Sequence, residues 1–386
     1  MLCAGFWILS GNLSKVAKEQ QETRKSEAGF FCPAYVGLRC VLLIMVLEGH
    51  YWFEATSNRS LNILTFAVPV FFALSGYLIS HTLFSYEEYD WKDAARVFYA
   101  RRALRILPPF YLVLLVAHLI HAVPYLGWHL AYAINIKIFL LSAFEHGRFL
   151  GYLGYGDFKA MHYWSVNVEE QFYILYPLFI AWTAGRRRTS WLVFGILSSI
   201  AIRAYLYHSV YRSFYGGLPF VAGEFILWGC LLAWLDHQGK IRWLCNRLAM
   251  YGSLLIFLVV GLNDPSYAPW AQWKPPYHQT VYCILIAVFV MSLRYSNDTW
   301  LAKLLSWKPM AVIGEMSYGA YLVHIFLNPA AEWMALRFPF LAPFEACPIA
   351  ITGPILTLSV AALMWYGFEK PINRFRRRFR LGEKKS

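Results

Sequence analysis

Ten apolar runs, most of them close to twenty residues long, divide this chain and constrain what it can fold into. A helix needs about 20 apolar residues to cross the hydrocarbon core of a bilayer. Continuous runs also exclude a β-barrel, whose strands alternate between apolar and polar residues. The sequence therefore predicts an all-α, polytopic membrane helix bundle with about ten transmembrane helices. The predicted spans are 36–54, 61–84, 106–125, 165–184, 190–208, 217–235, 249–263, 279–294, 311–330 and 349–368.

Composition agrees with a membrane protein and excludes two other classes. The 386 residues are 59% hydrophobic and only 15% charged, which does not fit a surface exposed to water. The net charge of +13 is carried by basic residues between the apolar runs, where they set topology, so we expect no nucleic acid partner. The seven cysteines are odd in number, scattered and mostly inside apolar runs, which excludes a disulfide-bonded secreted scaffold.

Basic residues also indicate how the spans are oriented, because Lys and Arg are retained on the cytoplasmic side. With ten spans and both termini cytoplasmic, the inner segments hold 27 of the 35 Lys and Arg residues when Arg39 and Arg294, at the inner ends of their spans, are counted with them. The outer segments hold seven, and Arg203 lies further inside a span. A further apolar stretch, 130–146, would exchange the sides of later loops if it spanned, and much of this bias would vanish. We therefore predict that it is a non-spanning segment on the outer side.

The two ends of the chain lie outside the predicted spans; the first ten residues contain an apolar run, and residues 11–29 are polar and mixed in charge. Residues 1–34 are a predicted cytoplasmic lead without the basic and small-residue features of a signal peptide. Residues 35–370 form the single predicted membrane domain. The tail, 371–386, contains the basic run RFRRRFR, which we expect to bind anionic lipid headgroups at the inner face.

Several predicted spans contain ionisable residues, and each is costly in hydrocarbon unless it is paired or faces a cavity. We therefore expect these residues to converge on one polar chamber inside the bundle. They are Arg39, Glu48, His50, Glu169, Glu170, Arg203, Glu224, Glu315 and His324.

The first span places a cation and a histidine at different depths. Arg39 and His50 are eleven residues apart, which is about 16.5 Å of helix rise and about three turns, so they lie on broadly the same side. Arg39 is then near the inner surface and His50 near the outer one. Taken alone, the pair is also explained by an arginine that snorkels to the interface and a histidine that hydrogen-bonds a neighbouring helix.

Three arginines precede the third span in the segment FYARRALRILPPFY. On a helix Arg105 is a neighbour of both Arg101 and Arg102, so their guanidinium groups can close on one polyanion. Retention of this loop on the cytoplasmic side explains the same charges equally well. We expect Pro108 and Pro109 to begin the span, where a missing N–H costs little.

The segment HYWSVNVEEQFYILYP, residues 162–177, begins another span from the outer side. Ser165 and Glu169 share a helix face, and His162 lies within about one turn of Ser165. A carboxylate in this position can orient a histidine and stabilise its protonated form. A capping serine with acidic residues near a helix N-terminus is the simpler alternative.

Six short blocks follow one another along the chain. They are GLRCVLLIMVLEGH (37–50), FFALSGYLIS (71–80), RRALRILPPFY (101–111), HYWSVNVEEQFY (162–173), IGEMSYGAYLVH (313–324) and FEKPINR (368–374). In this order they resemble acyltransferase family 3, a family of integral membrane proteins that O-acylate cell-surface carbohydrates and related acceptors. The resemblance covers almost the whole chain. Each block alone is weak evidence, and their shared order makes the resemblance specific.

The resemblance implies roles for individual residues. His50 would be the catalytic histidine, and Glu169 the functional carboxylate that stabilises its imidazolium. The residues implied in binding the acyl-CoA donor are Arg39, Arg101, Arg102 and Arg105. The remaining predicted substrate-binding residues are Trp164, Ser165, Tyr173 and His324.

The implied reaction moves an acyl group, most often acetyl, from cytoplasmic acyl-CoA to a hydroxyl of a cell-surface or lipid-linked carbohydrate. Acetyl-CoA is then a co-substrate, and no metal is expected. A sugar hydroxyl is a poor nucleophile at neutral pH, so the reaction needs a general base, and neutral His50 can serve. The expected location is a bacterial cytoplasmic (inner) membrane, where the protein passes through the bilayer several times.

Two other classes of function stay open. A transporter or flippase for glycolipids or polysaccharides would use the same buried charges to bind and move its cargo, although we find no internal repeats of the kind that transporters usually contain. A non-catalytic scaffold would not need His50. The sequence does not fix the acceptor, the acyl chain length, the choice between direct transfer and an acyl-enzyme, or whether the protein forms a homo-oligomer.

The charge bias gives a first testable prediction. Single cysteines introduced at Arg187 and Arg242 should react with a membrane-impermeant maleimide only in inside-out vesicles, and cysteines at Tyr155 and Trp270 only in intact cells. Labelling of position 187 from outside would contradict the ten-span arrangement.

Overall fold

The computed structural model describes residues 32–53, 66–144, 160–183, 187–209, 215–263, 276–341 and 349–382. In these ranges the regular structure is helical, as the sequence predicts, and no β-strand occurs. Most of the predicted lead, the last four residues of the tail, and positions Tyr155 and Trp270 lie outside the described residues.

Fifteen α-helices form the bundle in the described part of the chain. They are α1 Pro33–Glu48, α2 Ala67–Tyr86, α3 Trp91–Leu119, α4 Leu126–Leu130, α5 Ile134–Phe144, α6 Tyr163–Trp182, α7 Arg188–His208, α8 Pro219–His237, α9 Arg247–Asn263, α10 Pro276–Tyr295, α11 Trp300–Leu305, α12 Lys308–Val323, α13 Asn328–Arg337, α14 Ile349–Met364 and α15 Lys370–Phe375. Two π-helical turns, Gly49–Phe53 and Trp365–Glu369, follow α1 and α14 directly.

Eight helical segments of the described residues are long and apolar enough to cross a membrane. They coincide with eight of the ten predicted spans. The other two predictions fall on α6, which carries Glu169 and Glu170, and on α9, which has 17 residues. The protein is therefore a polytopic helical membrane protein.

Helix α3 corrects the predicted start of the third span. Pro108 and Pro109 do not begin a helix but lie inside α3. Its N-terminus is capped by Asp90, whose carboxylate accepts a backbone N–H hydrogen bond at 2.8 Å, so the cap and not the prolines decides where the helix starts. The Tyr318 hydroxyl on α12 donates to the Ile106 carbonyl of this helix at 3.2 Å, which joins α12 to α3 close to the prolines.

The stretch 130–146 contains the short helix α5. Its eleven residues rise about 16.5 Å, whereas the hydrocarbon core is about 30 Å thick. The Asn135 side chain donates to the Gly217 carbonyl at 3.3 Å and to the Gln171 side chain at 3.2 Å. The described helix is thus tied to one end of the bundle and is too short to cross a bilayer, as expected for a non-spanning segment.

The predicted inner segments meet one another at one end of the bundle. The contacting pairs are Cys32 with Asn297, Glu87 with Arg188, Arg247 with Asp298, and Arg101 with Phe379. Segments that the charge bias assigns to the same side therefore share a side in the structure. We call this end of the bundle the inner end; that it faces the cytoplasm stays a prediction.

Glycines bring two central helices, α2 and α8, into backbone contact. A Cβ added at Gly76 would overlap the Ile226 carbonyl oxygen, and one at Gly229 would overlap the Ala73 carbonyl oxygen. Small residues at such crossings let helices approach closely where the bilayer supplies no hydrophobic driving force between them. The core of the bundle is therefore built around a crossing that tolerates no larger side chain.

A glycine also allows close backbone contact between α1 and α12. A Cβ added at Gly314 would overlap the Val36 carbonyl oxygen. Because α1 carries Arg39 and leads into the turn that contains His50, this contact fixes the helix on which the predicted site depends.

The α2–α8 crossing gives a prediction about stability. Gly229→Ala should lower the thermal unfolding midpoint in detergent, because the added methyl group overpacks the crossing at a cost of about 1–3 kcal/mol. Gly223→Ala on the same helix is the matched control, since a Cβ there meets nothing within 4 Å. Equal midpoints for the two variants would contradict this role of Gly229.

Candidate functional site

Arginines from two helices converge in the half of the bundle nearer the inner end. Arg39 on α1 donates through Nη2 to the Ser317 hydroxyl on α12 at 2.9 Å. It also interacts electrostatically with Arg102 and Arg105 on α3 and with Glu169 on α6. Cations that interact inside a membrane bundle need counter-charges, and Glu169 supplies one. We call Arg39, Arg102, Arg105 and Glu169 the arginine group.

Hydroxyl groups hold Glu169 in this position. Ser75 on α2 donates to one carboxylate oxygen at 2.6 Å. The Tyr173 hydroxyl, one turn further along α6, lies 3.3 Å from the other carboxylate oxygen and 3.3 Å from the Ser75 hydroxyl. The Arg102 guanidinium lies over the Tyr173 ring, 5.1 Å from its centroid. Hydrogen bonds from hydroxyls favour the charged carboxylate, so Glu169 is built to balance the arginines.

A second carboxylate reaches the arginine group from the end of the last π turn. Glu369 is buried and interacts electrostatically with Arg105 and Arg39. Its Oε1 lies against Gly319 of α12, where a Cβ would displace it, and this oxygen has no hydrogen-bond partner among the described residues. A buried carboxylate is costly without compensation, so the two arginines stabilise Glu369 while it offsets their charge.

The side chain of Arg101, the third arginine of the predicted motif, contacts other parts of the protein. Arg101 donates through Nε to the Phe379 carbonyl at 3.1 Å and through Nη1 to the Tyr86 hydroxyl at 3.2 Å. The motif therefore divides: Arg102 and Arg105 belong to the arginine group, and Arg101 contacts the C-terminal segment.

Three histidines form a second polar group further along α1. His50 lies in the first π turn, and its ring centroid is 4.9 Å from that of His324, which follows α12. The His162 ring, before α6, is 4.8 Å from the His324 ring. We call His50, His162 and His324 the histidine group. Across the described ranges, no set of three His, Cys, Asp or Glu side chains is arranged to hold a metal ion.

The backbone sets the tautomer of His324. Its Nδ1 lies 2.7 Å from the Tyr321 carbonyl oxygen, and a carbonyl only accepts, so Nδ1 carries the proton in the neutral ring. Nε2 is then an acceptor, and it has no hydrogen-bond partner in the described part of the chain. The Tyr51 hydroxyl donates to the His324 carbonyl at 2.6 Å. The fully buried His324 therefore presents a fixed acceptor nitrogen within the histidine group.

Tyr321 connects the two groups. Its hydroxyl lies 2.6 Å from the Ser165 hydroxyl, donates to the His162 carbonyl at 2.9 Å, and interacts electrostatically with Glu169. Ser165 and Glu169 are one turn apart on α6, about 6 Å of rise. The arginine group and the histidine group are thus neighbours along the same helices, at two depths.

Other ionisable residues do not join this site, so the predicted single chamber is wrong. Arg203 and Glu224 form a buried ion pair between α7 and α8. Arg203 donates to the Thr280 hydroxyl at 2.8 Å, and that hydroxyl donates to Glu224 at 2.7 Å. Glu315 is exposed on another face of α12, and Glu48 is partly exposed. Charges that are satisfied pairwise or face outward have no need of a common cavity.

The predicted roles of individual residues stay predictions, but their positions are now given. In the described part of the chain the Glu169 carboxylate accepts hydrogen bonds from Ser75 and Tyr173, on the side of the arginine group, and the His50 ring packs against the His324 ring. Ser165 lies beside the histidine group. Trp164 packs edge-on against Phe72, with ring centroids 6.0 Å apart, at the edge of the hydrophobic core.

Four residues of the site were not singled out by the sequence: Ser75, Ser317, Tyr321 and Glu369. Each lies inside one of the six blocks that carry the family resemblance. Membership of a block was the available signal, but a block shows neither which side chain points inward nor what it contacts.

The separate ion pair gives a prediction about stability. Glu224→Gln should lower the thermal unfolding midpoint in detergent, because it leaves the buried Arg203 guanidinium without its counter-charge, a loss of about 3–5 kcal/mol. Glu315→Gln is the control, since that carboxylate is exposed. A Glu224→Gln variant that unfolds at the wild-type temperature would contradict the pairing.

Comparison with known proteins identifies the family. The peptidoglycan O-acetyltransferase OatA of Listeria monocytogenes is 26% identical over 319 residues, which cover 76% of this chain and 49% of that protein. The O-acetyltransferase OatA of Staphylococcus aureus is 26% identical over 337 residues, which cover 81% of this chain and 53% of that protein. The chain thus spans about half the length of these relatives. No solved structure matches it.

A family model described as an acyltransferase domain matches residues 34–366. The match extends from the start of α1 into the π turn after α14, so it includes the helices that carry both polar groups. The chain therefore belongs to this acyltransferase domain family.

Proposed function

We propose that this protein is a membrane-embedded O-acyltransferase that takes an acyl group from acyl-CoA at the cytoplasmic side and transfers it to a carbohydrate hydroxyl at the other side. One observation carries the proposal. Helix α1 and its π turn supply Arg39 and His50, and α12 with the residue after it supplies Ser317 and His324. An anion-binding group and a proton-accepting group therefore lie along the same pair of helices at different depths.

The arginine group suits the phosphates of CoA. Guanidinium groups bind phosphate oxygens through paired, charge-assisted hydrogen bonds. Arg102 and Arg105 lie on one turn of α3, in the half of the bundle where CoA would arrive from the predicted cytoplasmic side. Glu169 and Glu369 offset part of the charge of the arginines, which lowers the cost of holding these cations in the membrane.

The histidine group suits general-base catalysis. His50 would take the proton of the acceptor hydroxyl while the hydroxyl oxygen attacks the thioester carbonyl carbon. The new carbon–oxygen bond forms, the carbon–sulfur bond breaks, and the CoA thiolate leaves and takes up the proton. The neighbouring His324 ring, whose centroid is 4.9 Å from that of His50, would hold the His50 ring in place by packing. The stabilisation of the imidazolium that the resemblance implies for Glu169 stays a prediction.

The names of the relatives support a finer assignment of the substrates. Both relatives are named O-acetyltransferases, and the Listeria monocytogenes protein is named for peptidoglycan. We therefore infer that acetyl-CoA is the donor and that the acceptor is a cell-surface or lipid-linked carbohydrate at a bacterial cytoplasmic membrane. The proposal names the acceptor only as a class of carbohydrate, because this chain spans about half the length of those relatives.

The role of His50 is tested by its removal. His50→Ala should lower acetyl transfer by about a hundredfold or more, the contribution expected of a general base. His118→Ala, an exposed histidine at the end of α3, is the control. Transfer is measured by mass spectrometry of the carbohydrate after incubation of proteoliposomes with acetyl-CoA. An active His50→Ala variant would contradict the proposal and favour a transporter or a scaffold.

The role of the arginine group is tested by replacing an arginine with lysine, which keeps the positive charge but changes the shape of the charged group. Arg105→Lys should weaken CoA binding by about 1–3 kcal/mol, because lysine lacks the planar fork that binds phosphate oxygens. Arg96→Lys on the same helix is the control, since that side chain is exposed. Binding is measured by calorimetry on the purified protein in detergent. Equal affinity in both variants would show that Arg105 serves topology alone.

A further inference from the structure

The C-terminal segment turns back along the beginning of α3. The Phe379 carbonyl accepts a hydrogen bond from Arg101 at 3.1 Å. Further on, a Cβ added at Gly382 would lie 2.9 Å from a carboxylate oxygen of Asp93. Phe379 and Gly382 of the tail therefore lie against Arg101 and Asp93, two residues that are eight positions apart on α3. The tail thus runs along this helix and does not extend freely from the bundle.

This seating brings Arg376 next to the arginine group. Its strongest electrostatic neighbours are Arg105, Arg102 and Arg101. The side chain is partly buried, and it donates through Nη1 to the Asn373 side chain at 3.3 Å. Its buried Nε has no hydrogen-bond partner among the described residues. Arg376 therefore offers an unused donor beside three like charges.

The local charges do not balance. Four arginines interact here, and the carboxylates that interact with them in the described part of the chain are three glutamates. Full ionisation leaves an excess of positive charge, which is costly within a membrane bundle until an anion binds. The arginines are Arg39, Arg102, Arg105 and Arg376, and the glutamates are Glu169, Glu170 and Glu369.

We propose that the tail is part of the donor site and that Arg376 binds a phosphate of the donor together with Arg102 and Arg105. This inference rests on the proposed function, because it takes acyl-CoA as the polyanion that fills the site. It assigns a binding role to a residue of the basic run that the sequence analysis gave to lipid headgroups.

The rest of the basic run differs from Arg376. Arg374, Arg378 and Arg380 are exposed, and exposed basic residues suit attraction to an anionic lipid surface. Burial, together with the positive charges of Arg105, Arg102 and Arg101, lowers the pKa of Arg376 to about 9. The guanidinium is still charged at neutral pH, and a bound phosphate would relieve the repulsion that it experiences.

The test compares two arginines of the same tail in the full-length protein in detergent. CoA affinity is measured by calorimetry for the wild type, Arg376→Gln and Arg374→Gln. Loss of one charge-assisted phosphate contact should weaken CoA binding by about tenfold or more in Arg376→Gln, whereas Arg374→Gln should bind as the wild type does. Unfolding midpoints without CoA are recorded for all three, and Arg376→Lys replaces the glutamine variant if that variant is unfolded.

A second probe tests whether the contact is to phosphate. Inorganic pyrophosphate should displace CoA from the wild type, and a tail contact to phosphate predicts that Arg376→Gln weakens pyrophosphate binding as well. Unchanged pyrophosphate binding, or CoA affinity equal to that of Arg374→Gln, would overturn the role of Arg376 and leave the proposed function intact. A wild-type protein that binds no CoA would instead overturn the proposed donor and this inference with it.

Discussion

The cost of holding charge within a membrane is the constraint on which the rest of this structure depends. It explains why Glu169 is clamped by two hydroxyls beside Arg39, and why Glu369 approaches from the far end of the chain. It also explains why Arg203 and Glu224, which are away from this site, pair with each other. In the described part of the chain the arginine group and its neighbours carry more positive than negative charge, and this excess is the basis for proposing that an anionic ligand binds there.

Backbone geometry then fixes where the functional side chains lie. Gly314 lets α1 approach α12 closely, so that residues from both helices enter each polar group. The two π turns in the described part of the chain contain His50 and Glu369, and such turns frequently mark functional positions. Each π turn changes the direction of the side chains relative to a regular helix. The π turns therefore help to determine that His50 and Glu369 point into the site.

The sequence predicted the helices better than the contacts between them. Apolar runs give the spans because hydrocarbon thickness sets their length, but α3 extends through Pro108 because its N-terminus is decided by an upstream cap. The spacing of Arg39 and His50 predicted two depths along one helix. The ring contact of His50 with His324 and the electrostatic interaction of Arg105 with Glu369 join residues more than two hundred positions apart, and no periodicity within one segment contains such information.

The central claim is that the acyl group enters at the arginine group and leaves at the histidine group. The most direct measurement uses proteoliposomes in which protease accessibility shows on which side the C-terminal tail lies. Acetyl-CoA, which does not cross the bilayer, is supplied only on the tail side, and the carbohydrate acceptor only on the opposite side. We predict acetylated carbohydrate in this arrangement and none when the two compartments are exchanged. Product formed only when donor and acceptor share one compartment would contradict transfer between the two groups.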